Sequence, residues 1–103
     1  MFMLHNRIAA GPGRRDDLLA IMTEAGGSLP GCRLYVVAVD ETDGDGVWVT
    51  EIWESEGAHA ASLTLDHVRE RIARAMPLVD VTGIRQQRLD PRAGLPDPPP
   101  HAG

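Results

Sequence analysis

Hydrophobic and polar side chains alternate from Met1 to Ala10, with Phe2, Leu4, Asn6 and Ile8 on one face and Met3, His5, Arg7 and Ala9 on the other. A period of two predicts a strand, and it sets polar Asn6 on the more apolar side. Gly11-Pro12-Gly13 breaks the alternation. Leu18, Leu19, Met22 and Ala25 then recur at helical spacing until Gly26-Gly27, which predicts one amphipathic helix over about residues 14–26. After Pro30-Gly31 the run Cys32–Val39 consists of β-formers and is apolar on both faces in its second half, so this strand needs cover on both sides. The turn sequence Asp40–Gly46 leads into Val47–Trp53, and the two strands read as a hairpin.

Ser55 is placed to cap a short Ala-rich helix that runs through Leu63. Asp66 is placed to cap a second helix, His67–Met76, whose Val68, Ile72, Ala75 and Met76 form an apolar stripe and which Pro77 stops. Val79–Leu89 returns to β character, weakened at Gly83. Residues 90–103 hold five prolines and no periodicity, the pattern of an extended tail. The order is therefore βαββααβ over residues 1–89, an α+β plan with helices on one face of a four-stranded, mostly antiparallel sheet. The other face is left bare, and exposed apolar surface costs roughly 25 cal/mol per Å², so a second copy is the simplest cover. A homodimer is expected.

Composition narrows the function classes. The chain has 103 residues, 43% hydrophobic and 24% charged, which fits one small domain. Its formal charge is −5 and every basic residue is Arg, with no basic run to follow a phosphate backbone, so a nucleic-acid partner is not expected. The single cysteine, Cys32, forms no internal disulfide and agrees with a reducing cytoplasm. Apolar runs fall short of the ~20 residues a membrane span needs, and Met1–Ala10 lacks the pattern of a signal peptide. His5, His59, His67 and His101 are not paired with carboxylates at ligand spacing, and Asp40–Asp45 lacks the calcium-loop pattern, so no metal is expected. Gly11-Pro12-Gly13 is a turn and not a phosphate loop.

An ordered set of short pieces carries a resemblance: Asn6-Arg7-Ile8 on the first strand, Gly11-Pro12-Gly13-Arg14-Arg15-Asp16-Asp17-Leu18-Leu19 into the first helix, and Leu29-Pro30-Gly31-Cys32 before the second strand. Glu51-Ile52-Trp53-Glu54-Ser55 with Ala58, and His67-Val68-Arg69, complete it. Over about residues 1–89 the chain resembles the antibiotic biosynthesis monooxygenase domain family. The resemblance implies a ferredoxin-like protomer, a dimeric α/β barrel, and relatives that include quinol monooxygenases and haem-degrading proteins.

The resemblance also implies roles. Trp53 matches a tryptophan that lines the substrate cavity in several members. Alternation sets Val49, Glu51 and Trp53 on one face, where a carboxylate and an indole N–H would share a pocket, unless Trp53 only anchors the core and Glu51 ties down a loop or partner chain. Asn6 matches an asparagine that orients ligand in haem-degrading relatives; its alternative is to satisfy a strand end or interface. His67 would take a proton from a hydroquinone or enol and Arg69 would steady the oxyanion, the alternative being that both are solvated.

The departures weigh against a full site. Ser62 stands where many quinol-oxidising relatives have a His, and His59, three residues earlier, is expected on a different helical face. Val49 stands where a polyketide-oxidising member has an Asn. Ser62 and Ile72 replace the Trp and proximal His of haem-degrading members, so no haem or other cofactor is expected. Trp53, Glu51, Val49 and Ser62 form the expected substrate-binding set, with His67, Arg69 and Asn6 as the catalytic one. The implied activity is cofactor-independent monooxygenation, by O₂, of a small electron-rich aromatic such as a hydroquinone, anthrone or polyketide-like ring. The alternative is a non-catalytic dimeric barrel that binds a small ligand or serves as an interaction module.

Overall fold

A computed structural model describes residues 1–24 and 29–95. Its elements run β1 (Phe2–Ala10), α1 (Arg15–Met22), β2 (Cys32–Val39), β3 (Gly46–Trp53), α2 (Glu56–Ser62), α3 (Asp66–Ala75), a 3₁₀ turn over Met76–Leu78, and β4 (Val79–Leu89). The sheet order is β2-β3-β1-β4, with every neighbouring pair antiparallel. This is the ferredoxin-like α+β arrangement expected from βαββααβ.

Period-two alternation gives the sheet its two faces. Phe2, Leu4, Asn6 and Ile8 lie opposite Trp53, Glu51, Val49 and Val47. On that face Leu4, Val47, Val49 and Trp53 are almost wholly buried. Leu18 from α1 joins Ala10, Val47 and Val49 in the core, and Ala75 from α3 packs against them. The opposite face pairs Met3, His5 and Arg7 with Ile52, Thr50 and Trp48, and His5 stacks on Trp48 with ring centroids 5.0 Å apart. Val36 and Leu89 on that face remain exposed. Edge strand β2 also leaves Tyr35 and Val39 exposed, so the cover its sequence needs on both sides is not supplied within the chain.

Three boundaries differ from expectation, each for a local reason. Helix α1 ends at Met22, not near residue 26. The Thr23 hydroxyl and N–H both donate to the Leu19 carbonyl, and the Glu24 N–H reaches back only three residues to Ile21, which tightens and closes the helix. The expected Gly26-Gly27 stop lies outside the described residues. Asp66 is the first residue of α3 and not its cap, because extended Leu65 precedes it; the carboxylate sits at the positive end of the helix instead. Ser55 caps α2 as expected, its Oγ accepting the Ala58 N–H at 3.0 Å.

The β1–β4 register breaks between Arg7 and Ala9, next to Gly83. A Cβ on Gly83 would lie 2.4 Å from that of Ala9, so this strand tolerates only glycine at its closest approach. Of the expected tail, residues 90–95 form neither helix nor strand, and 96–103 lie outside the described residues. Among the described residues no helix is long and apolar enough to cross a membrane.

Gly31 sets how closely β2 passes under α2. Its φ is +79°, and an added Cβ would come within 2.6 Å of the Ala58 Cβ. Gly31→Ala is expected to destabilise the fold by about 2–4 kcal/mol through backbone strain and overpacking together. Urea unfolding checks this, and Ala58→Gly in the same chain is expected to recover the steric part.

Candidate functional site

The buried face of the sheet is closed at one end by the Val47–Val49 core and hollow at the other. The hollow is a cavity of about 970 Å³. Its floor is Trp53 and Glu51 of β3 with Cys32 and Tyr35 of β2. His59 and Ser62 of α2, His67, Val68, Arg71 and Ile72 of α3, and Leu18 and Met22 of α1 form its walls.

Glu51 is the polar centre of this floor. The carboxylate accepts the Trp53 Nε1–H at 3.1 Å and the Asn6 Nδ2–H at 3.0 Å. Glu51, Asn6 and Trp53 are 8%, 8% and 1% exposed. Burial raises the Glu51 pKa above its ordinary value, and outweighs the Trp53 and Asn6 hydrogen bonds and the nearby His59 that favour the anion. Among the described residues the buried Asn6 Oδ1 has no partner. Turned over, the amide would present Oδ1 to a protonated Glu51, so the pair accommodates either charge state.

Helical geometry sorts the remaining candidates. At about 100° per residue, His67, Val68, Arg71, Ile72 and Ala75 span one broad face of α3, and all five line the cavity, whereas Arg69 falls outside that arc and does not. The α3 guanidinium on the wall is that of Arg71, which follows the apolar Val68 by three residues, and Arg33 of β2 also lines the cavity. His67 lines the cavity but is exposed.

His59 requires a correction. Three residues turn a helix by about 300°, so His59 and Ser62 sit about 60° apart and share a face instead of opposing one another. Both line the cavity. The His59 ring meets Trp53 edge to face at 5.3 Å and Phe2 at 5.8 Å.

The other expected residues sit further back. The Ser62 hydroxyl is turned to its own helix and donates to the His59 carbonyl at 2.6 Å. Val49 belongs to the packed core and is not on the cavity wall, and Asn6 reaches the site only through Glu51. Cys32 is no nucleophile candidate: burial pushes its thiol pKa up, and the thiol donates weakly to the Leu34 carbonyl. Among the described residues no group of three or more His, Cys, Asp or Glu is arranged to hold a metal.

The sequence profile of the family described as antibiotic biosynthesis monooxygenase matches residues 1–74. A crystal structure from Chloroflexus aurantiacus J-10-fl, provisionally named an antibiotic biosynthesis monooxygenase, is 40% identical over 90% of this chain and 94% of that one, with a TM-score of 0.83. A provisionally so-named structure from Deinococcus radiodurans is 22% identical, covering 96% of this chain and all of that one (100%), at a TM-score of 0.72. A conserved protein of Methanosarcina mazei Go1 is 15% identical over 88% and 92% of the two chains, at 0.76. The last two likenesses are of fold alone. None of the curated proteins matches the chain.

The raised pKa of Glu51 has a signed consequence for stability. Above the ordinary carboxyl value of 4.5 the unfolded chain loses this proton first, so the folded state binds more protons and stability falls with rising pH up to the raised folded value. Glu51→Gln is expected to remove that fall. Urea unfolding of wild type and variant across this range checks it, because their difference cancels the opposite contributions of Asp40 and Asp80, whose pKa values are lowered.

Proposed function

We propose, because this chain belongs to the antibiotic biosynthesis monooxygenase family, that it oxidises a small electron-rich aromatic with O₂ inside the cavity between sheet and helices. Family membership supports a monooxygenase-like role in general. The finer reading rests on one observation: an apolar cavity large enough for a polycyclic ring that also carries a tryptophan, two imidazoles and a buried carboxyl.

In this reading Trp53 supplies a flat surface for the ring, and Asn6 acts from behind by fixing Glu51. His59 and His67 are the imidazoles on the cavity wall that would accept the ligand's proton. Arg71, in place of Arg69, steadies the anion left on the ligand. For an anthrone, the ring methylene loses a proton, passes one electron to O₂, and bonds to the superoxide so formed. Loss of the second C–H proton then breaks the O–O bond, releases water and leaves a carbonyl. The ring supplies the electrons, and the protein's own part is to orient it, accept its protons and keep bulk water away.

A homodimer and a cytoplasmic location belong to the same proposal. The half-bare outer face, with Trp48, Val36 and Leu89, is the surface a second copy would cover. One observation favours the non-catalytic alternative, namely that Ser62 commits its hydroxyl to its own helix.

Oxygen uptake with a panel of hydroquinones and anthrones is expected to exceed the buffer rate for at least one member. Trp53→Ala is expected to lower kcat/KM for that member by about tenfold or more, the loss of roughly 1.4 kcal/mol of ring contact. Binding without oxygen uptake across the panel would establish the non-catalytic reading instead. Sedimentation at micromolar concentration is expected to give twice the chain mass; a monomer would remove the dimer.

A further inference from the structure

Two imidazoles stand on the cavity wall, those of His59 and His67, and their surroundings differ. His59 lies in the last turn of α2, and His67 is the second residue of α3. The His59 ring contacts Trp53 edge to face, with centroids 5.3 Å apart. Trp53 Nε1 is held by Glu51, so the indole is fixed where it meets the imidazole. Neither ring nitrogen of His59 is hydrogen-bonded among the described residues, and its backbone carbonyl is the one group that Ser62 occupies. His67, by contrast, is exposed.

We propose that His59 is the catalytic base of the cavity, its imidazole taking the proton of a phenolic or enolic hydroxyl on the bound aromatic, with Glu51 as the positioning residue that fixes Trp53 and favours the imidazolium once formed. One O–H bond breaks and one N–H bond forms; the electron pair stays on the ligand oxygen. The proposal rests on the oxidative reading only for its ligand class. The charged and titratable groups around His59 are Glu51 on β3, Cys32 on β2, Glu56 on α2, and Arg88 on β4, which pairs with Glu56 and lies over Phe2. Arg88 thus has its own counter-charge, and the buried Glu51 is the acidic group on the Trp53 side of the ring.

The test uses 4-nitrophenol, whose phenolate absorbs in the visible, and 4-nitroanisole, which has no acidic proton. In wild type at about pH 7, binding of 4-nitrophenol is expected to raise the phenolate fraction above that of the free phenol and to convert the ring ¹⁵N signals of His59, and not those of His67, to the imidazolium pattern. His59→Gln is expected to lower the phenolate fraction of bound 4-nitrophenol by about tenfold or more while 4-nitroanisole still binds, a loss that His67→Gln does not reproduce. Glu51→Gln is expected to reduce the imidazolium conversion. No binding or no rise in the phenolate fraction in wild type, conversion at His67 instead, or the rise persisting in His59→Gln would each overturn the assignment. If His59→Gln fails to fold, the wild-type ¹⁵N spectrum decides alone. Absence of oxygen uptake with hydroquinones, while these signals hold, would sink the oxidative reading and leave His59 as the base.

Discussion

A single buried carboxyl organises the ligand-facing half of this domain. Glu51 accepts hydrogen bonds from Trp53 on its own strand and from Asn6 on the neighbouring one, so it joins β1 to β3 through side chains as well as through the ladder. A carboxyl withdrawn from water is costly unless its oxygens are satisfied, and here both are. The tie therefore fixes the indole of Trp53 at the floor of the cavity, and the position of the indole in turn defines where the His59 ring lies.

The cavity itself follows from unequal coverage of one sheet face. Helices α1 and α3 press Leu18 and Ala75 onto Val47, Val49 and Ala10, which closes that end as packed core. At the Trp53 end the cover is the short, Ala-rich α2, whose small side chains reach less far, so space remains beneath it. Gly31 lets β2 begin directly under Ala58, keeping α2 close to the strand ends while leaving the interior hollow.

Much of this was legible in the sequence, because alternation and helical spacing are local properties. All four strands, the Ser55 cap and the shared face of Val49, Glu51 and Trp53 follow from period and propensity. The end of α1 was not, since a Thr23 hydroxyl turning back on Leu19 competes with helix continuation and leaves no periodic signal. Arg71 and His59 differ in this respect. Apolar residues alone define the α3 stripe, and a charged Arg71 inside its arc adds nothing to that signal. His59 is legible from its spacing, because residues three apart on a helix are neighbours and Ser62 lines the same cavity. That Val49 packs in the core while Glu51 lines the cavity could not be read from alternation, which assigns a face but not the depth of cover over it.

Strand β3 carries both surfaces that matter, and one register setting serves them together. Its odd residues Val47, Val49, Glu51 and Trp53 face the helices, and its even residues Trp48, Thr50 and Ile52 face away. A slip of one residue would exchange the two sets, setting Trp48 on the helix-facing side and Glu51 on the bare face. Side chains outside the ladder oppose such a slip. Arg15 at the start of α1 donates to the carbonyls of Asp40, Asp43 and Gly46 in the β2–β3 turn, and Arg7 pairs with Asp43 from the outer face. Trp48 Nε1–H donates to Asp40, whose pKa falls to about 2 under that bond and those from Thr42. An ionised Asp40 can hold Trp48 only in the present register, so the acidic turn, which carries no metal pattern, gains a physical role: it keeps the indole of Trp48 outside and thereby leaves the inner face to Trp53.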